Sequence, residues 1–95
     1  MIVVTARFTL KPGVLEAYLK EAAPLIEATR KEDGCLSYVL HQDLKSPDSF
    51  AVIEQWRDEA ALDAHFQTAH VKAIAPKLNA LRVAPPEVTR FKPVA

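Results

Sequence analysis

Residues 49–65, SFAVIEQWRDEAALDAH, decide how the chain folds. The first part alternates: Phe50, Val52, Glu54 and Trp56 share one face, and Ala51, Ile53 and Gln55 the other. Alternation of this kind marks a half-buried strand, here residues 49–57. Asp58 follows as an N-cap with Glu59 in the first helical turn, where acidic groups meet the positive end of the helix dipole. Leu62 and Phe66 then fall at i and i+4, so the period changes from two to about 3.6. This strand–turn–helix unit carries the only Trp, Trp56, and presents His65 near the same strand end.

The segments on either side complete the pattern. Residues 2–10 read as a strand, with Ile2, Val4, Ala6, Phe8 and Leu10 opposed to Val3, Thr5, Arg7 and Thr9. Lys11-Pro12-Gly13 ends it. Residues 14–31 follow helical spacing, with Leu15, Tyr18, Leu19, Ala22, Leu25, Ile26 and Thr29 on one stripe. Pro24 removes a backbone donor there, which predicts a kink over residues 20–24. Asp33-Gly34 closes the helix. Residues 35–42 read as a strand with Leu36, Tyr38 and Leu40 opposed to Cys35, Ser37, Val39 and His41. Ser46-Pro47-Asp48 is the turn of a hairpin into residues 49–57. Thr68 can cap a further helical run with Val71, Ile74, Leu78 and Leu81 in phase, and residues 87–91 form a last short strand.

The order β-α-β-β-α-β is the ferredoxin-like split pattern, an α+β class fold. The chain has 95 residues, which makes one domain, 1–95. Helices cover one face of such a sheet. Strands one to three carry apolar groups on both faces, so the bare face asks for the same sheet of a second copy: a homodimer is expected. The formal net charge is zero, leaving no basic surplus for nucleic acid. No apolar run reaches membrane-spanning length, the start lacks a signal-peptide pattern, and the lone Cys35 fits a reducing compartment; a cytoplasmic location is expected.

Chemistry-bearing residues are few. An imidazole at His65, on the edge of the buried stripe, could serve as a base or simply bond a strand carbonyl. Trp56 could wall a pocket and stack on a planar ring, or be plain core. Tyr38 could orient a substrate oxygen or sit at a dimer contact. Glu54 could orient His65 or pair with Arg7 or Arg57. Phe8 and Phe66 are apolar candidates for the remainder of a pocket. His65 and His70 are five apart, a divergence of about 140° on one helix, so no shared metal is expected. Cys35 reads as a small buried thiol. Gly13 and Gly34 are the only glycines, so no Gly-rich loop for a flavin or nicotinamide phosphate exists.

The strand–Lys-Pro-Gly–helix opening, Asp33-Gly34-Cys35-Leu36-Ser37-Tyr38, Phe50-to-Glu54-x-Trp56 and Ala61-Leu62-x-x-His65-x-x-Thr68-x-His70 together resemble the antibiotic biosynthesis monooxygenase domain family. The likeness is greatest to its small bacterial members described as quinol monooxygenases. The resemblance implies a dimeric α+β barrel with a pocket between sheet and helices in each subunit. It also implies O₂-dependent oxygenation of a quinol, phenol or anthrone without metal or cofactor; for that chemistry the residues read above offer His65 as catalytic base and Trp56, Tyr38, Phe8 and Phe66 as substrate contacts. Haem-degrading relatives of the same fold carry an Asn and a haem-ligating His where this chain has Ala6 and, near the last helix, Ala75; only the Trp is matched. The alternative from another class is a non-catalytic dimeric stress-response or small-ligand-binding protein.

Overall fold

The computed structural model describes all residues, Met1–Ala95. Its elements are β1 (Ile2–Thr9), α1 (Leu15–Arg30), β2 (Cys35–Gln42), β3 (Ser49–Trp56), α2 (Glu59–His65), α3 (Ala69–Leu81) and β4 (Glu87–Phe91). The strands form one antiparallel sheet in the order β2-β3-β1-β4. This is the ferredoxin-like arrangement expected from the sequence, with the second helical segment broken into α2 and α3. No helix is long and apolar enough to cross a membrane.

The starts of α2 and α3 have their expected caps, whereas α1 begins after Val14 with no side-chain cap. The Asp58 carboxylate accepts from the Ala61 backbone N–H at 2.8 Å, and the Thr68 hydroxyl accepts from that of Val71 at 3.4 Å. The helix α1 runs through Pro24, and α3 through Pro76, without interruption. In both helices the proline is exposed, so the lost backbone donor is compatible with a continuous helix whose buried stripe lies elsewhere.

The core lies between the sheet and the helices. Val4, Phe8, Leu10, Phe50, Val52 and Trp56 from β1, β3 and the end of β1 meet Tyr18, Ala22 and Leu25 of α1, Ala61 and Leu62 of α2, and Leu78 of α3. The opposite face of the sheet is bare, and Val39, Ile53 and Phe91 stand exposed on it.

The second strand departs from simple alternation. Cys35 and Ser37 pair with Trp56 and Gln55, so Leu36 is an extra residue bulged out of the ladder. Leu36 is consequently exposed, and Cys35 joins Tyr38 on the helix-covered face, instead of opposing it. Burial, together with the charges of Glu32 and Glu54, pushes the Cys35 thiol up, which keeps it protonated and unreactive. Tyr38 is buried beneath the helices, so it is not a dimer-contact residue on the bare face.

Gly34 is where α2 meets the start of β2. Its φ is +85°, and a Cβ built there would lie 2.5 Å from the Cβ of Ala61. Gly13 has a similar φ of +76° but nothing within 4 Å. A left-handed conformation costs an ordinary residue roughly 1–2 kcal/mol, and overpacking typically adds about 1–3 kcal/mol. Gly34→Ala is therefore expected to lower unfolding free energy by about 2–5 kcal/mol and Gly13→Ala by only about 1–2 kcal/mol, measured by urea denaturation. Equal losses at the two positions would contradict the close contact with α2.

Candidate active site

The turn after α1, the end of β3 and the junction of α2 with α3 converge at one end of the sheet. Trp56 is fully buried as the last residue of β3, and its indole lies 4.9 Å from the His65 imidazole, centre to centre. Tyr38, from β2, has its ring 5.9 Å from His65, and Phe66 stands edge-on to it at 5.2 Å. His65 is itself buried, as the final residue of α2.

What orients His65 is Glu32. The His65 Nδ1 lies 2.7 Å from Glu32 Oε2, and the His70 Nε2 lies 2.7 Å from the same oxygen. A carboxylate is an acceptor only, so it fixes an N–H on Nδ1 of His65 and leaves Nε2 as the lone-pair nitrogen. No hydrogen bond within the protein occupies that Nε2. The arrangement is a carboxylate–imidazole pair of the kind that holds a general base in one tautomer and one orientation.

The two histidines meet because the helix breaks between them. The turn at residues 66–68 is held by the Thr68 hydroxyl, which donates to the His65 carbonyl at 2.7 Å while accepting from Val71. The divergence of about 140° expected for a continuous helix does not apply across this turn. Glu32 also comes from a distance in sequence. Its backbone N–H donates to the Thr29 carbonyl, and its carbonyl accepts from Cys35, which sets it in the turn that Gly34 makes sharp.

Glu54 does not take the role of orienting His65, and it pairs with neither Arg7 nor Arg57. It accepts a hydrogen bond from Trp56 Nε1 at 2.9 Å, two residues along the same strand face. Arg57 instead pairs on the surface with Asp33 and Asp58. Burial withdraws the Glu54 carboxyl from water and pushes its pKa up to about 7; the Trp56 bond opposes the rise and the Glu32 charge adds to it. Burial likewise pushes the Tyr38 phenol up, with Glu54 adding to the effect, so Tyr38 is a hydrogen-bond donor at neutral pH.

The interior cavity lies beside this cluster and not within it. It measures about 30 Å³ and is lined by Tyr18, Ala22, Leu25, Ile26, Tyr38, Leu40, Val52, Leu78 and Arg82. Trp56 and His65 are sealed and do not line it, contrary to the expectation of a pocket walled by both. Tyr38 alone borders both the cavity and His65. Phe8 belongs to the other end of the sheet. It pairs with Phe50, whereas Trp56 pairs with Ile2, a separation of roughly 20 Å along the strand. There its ring packs 5.2 Å from Tyr18 and 5.9 Å from Phe50, with the Arg82 guanidinium 4.4 Å above it. Phe66 is on the solvent side of His65, two-fifths exposed.

Sequence reading missed Glu32, His70, Tyr18 and Arg82. Arg82 donates to the Tyr18 hydroxyl at 2.7 Å, and its Nε is buried without a partner beside the cavity. His70 stood in one of the short motifs and Glu32 only just before another; the contact between them spans 38 residues.

The profile of the family described as antibiotic biosynthesis monooxygenase matches residues 1–77. The chain belongs to this family. It is 37% identical over 90 residues to the Bacillus subtilis protein named "Putative monooxygenase YcnE", covering 95% of each chain. It is 36% identical over 83 residues to YgiN of Escherichia coli, named "Probable quinol monooxygenase", covering 77% of this chain and 80% of that one. Against a longer relative, the Synechocystis protein sll1783, it spans 62% of the length. Among solved structures, an antibiotic biosynthesis monooxygenase superposes with a TM-score of 0.92 at 37% identity, each chain covered completely at 100%. The family assignment thus agrees with the strand order and with the motifs around Trp56 and His65.

The raised Glu54 pKa makes stability depend on pH in a definite direction. Below its unfolded value of about 4.5 the carboxyl is protonated in both states. Between about 4.5 and about 7 the unfolded chain releases that proton and the folded one retains it, so stability is lost as pH rises through this window. The loss from this one group is on the order of 3 kcal/mol. Glu54→Gln, which can still accept from Trp56, is expected to remove this part of the pH dependence. Thermal denaturation should find it more stable than wild type near pH 8 and close to wild type near pH 4.

Proposed function

We propose that the protein is a cofactor-independent monooxygenase that oxidises a small aromatic quinol, phenol or anthrone with O₂. One observation carries the reading: a buried imidazole, His65, is held by a carboxylate and flanked by Trp56 and Tyr38. The names of the relatives YcnE and YgiN support the reaction class, and that of YgiN supports the quinol.

The chemistry follows from the orientation of His65. Its Nε2 takes the proton of the phenolic or enolic hydroxyl, and Glu32 stabilises the imidazolium that forms. The deprotonated substrate is electron-rich enough to pass one electron to O₂. The substrate radical and superoxide then combine to a peroxide, which loses water to leave a new carbonyl. An anthrone CH₂ plus O₂ becomes C=O plus H₂O, and a hydroquinone plus O₂ becomes a hydroxyquinone plus H₂O. All the electrons come from the substrate, so no redox cofactor enters the balance. Trp56 supplies the apolar flank of the imidazole, and the protonated Tyr38 hydroxyl is a donor to the oxygen on which charge develops.

The cavity between helices and sheet holds little more than one water molecule, so an aromatic ring enters only if the side chains lining it, Leu78, Leu25 and Ile26 among them, move apart. The second reading, a protein of the same fold that binds a small ligand and turns nothing over, requires the same opening.

The protein works as a homodimer in this proposal. The bare sheet face presents Val39, Ile53 and Phe91 to solvent, and a second copy of the same face is the covering that suits it. Such a contact should bury more than about 1,000 Å² in total. Sedimentation is expected to give a dimer at micromolar concentration, and Ile53→Asp to give a monomer.

Oxygen uptake with a panel of hydroquinones and anthrones tests the activity. Wild type is expected to consume O₂, and His65→Ala to lower kcat by about 10² to 10⁴, the range for a general base. Uptake unchanged in His65→Ala would remove His65 from the mechanism. No uptake with any substrate, together with saturable binding of the same compounds, would favour the binding protein.

A further inference from the structure

The oxygen of Glu32 that meets His65 and the nitrogen of His70 form a group whose use goes beyond orienting a base. Glu32 Oε2, His65 Nδ1 and His70 Nε2 all lie within 4.8 Å of one another. We propose that these three atoms form a binding site for a divalent transition-metal ion of the zinc class.

The donor set selects the ion. Two imidazoles and one carboxylate suit Zn²⁺ and its borderline neighbours Co²⁺, Ni²⁺ and Cu²⁺, whereas Mg²⁺ and Ca²⁺ require oxygen donors. Three protein ligands leave a fourth tetrahedral position for water, the composition of reactive rather than structural zinc sites. The ligands come from three separate segments: the turn after α1, the last residue of α2 and the second residue of α3. Two of the three are fixed from behind. The His65 ring is packed against Trp56 and Phe66, its carbonyl is tied by Thr68, and the Glu32 backbone is held by Thr29 and Cys35.

The distances fit a site that closes around an ion with small movements. Tetrahedral bonds of about 2.0–2.1 Å place donor atoms roughly 3.3–3.4 Å apart. Here two of the three separations are 2.7 Å, the length of hydrogen bonds to one oxygen. An ion entering between them lengthens those two by about 0.6 Å, and the histidine nitrogens, within 4.8 Å of one another, settle at the same spacing. It takes the place of the two N–H hydrogens. The His65 proton moves to Nε2 and the His70 proton to Nδ1, so two neutral imidazoles remain neutral and no redox change occurs. Access is from the side of His70, whose side chain keeps 24% of its surface exposed against 5% for His65 and 12% for Glu32.

The consequence for the proposed reaction is antagonistic. With the ion on Nδ1, the Nε2 of His65 carries the proton and is no longer a base. The metal site does not rest on the oxygenase reading, because it is measured by binding.

Isothermal titration calorimetry of Zn²⁺ into the chelator-stripped full chain tests it. One ion per chain is expected, with a dissociation constant of about 10⁻⁶ M or tighter. His70→Ala and Glu32→Gln should each weaken binding by at least about 10–100-fold. His41→Ala, which removes an exposed histidine outside the cluster, should leave it unchanged. Co²⁺ provides a second readout: the intense visible bands of a four- or five-coordinate ion should appear in wild type and vanish in His70→Ala, whose far-UV circular dichroism should match wild type. Absence of one-to-one binding, or equal affinity in wild type and His70→Ala, overturns the proposal and leaves the three residues as a hydrogen-bonded clamp. A metal site confirmed in a protein that oxidises no quinol would leave this inference standing and remove the oxygenase reading alone.

Discussion

The close approach of α2 to the turn at Gly34 governs the functional end of this molecule. The Ala61 methyl occupies the space that any side chain at position 34 would need, and the positive φ of Gly34 turns the chain sharply from α1 into β2. Because α2 can sit this low, Leu62 is fully buried and His65, one turn later, reaches Glu32 on the other side of the same turn. The Arg57 backbone N–H donates to the Gly34 carbonyl at 2.8 Å, which locks the end of β3 to that turn as well. Remove the contact and the base, its carboxylate and the indole wall lose their common reference.

Two acidic groups at this end have been given different environments. Glu32 meets two imidazoles and retains a little exposure. Glu54 has one donor, Trp56, and is almost completely enclosed, so burial holds its proton on near neutrality. The result is a carboxylate bonded to His65 on one flank and a half-protonated one near the indole that packs against it. His65 thus has a carboxylate anchor on the turn after α1, and Glu54, on β3, is a group that can hold a proton near neutrality.

The opposite end of the interior is built on different residues. Arg82 lies over Phe8, bonds Tyr18 and lines the cavity between helices and sheet, while Tyr38 links that cavity to His65. The sheet length, and not any barrier, separates Phe8 from Trp56. A single aromatic ring cannot touch both, so a substrate held near His65 draws on Tyr38 and its neighbours.

Alternation in residues 49–57, the caps Asp58 and Thr68 and the turn at Gly34 determined the element order, because each of these signals is local and acts within a few residues. They also determined that Trp56 and His65 would meet, since one strand–turn–helix unit carries both. Other features were decided only by the tertiary structure. The bulge at Leu36 turned Cys35 inward, and it arises from pairing with β3, which no period within residues 35–42 encodes. Glu54 found Trp56 instead of His65 because strand geometry puts residues two apart on one face within reach. Glu32 and His70 joined His65 across 33 and 38 residues of chain. Contacts that long depend on how three elements dock, and no spacing in the sequence carries that information.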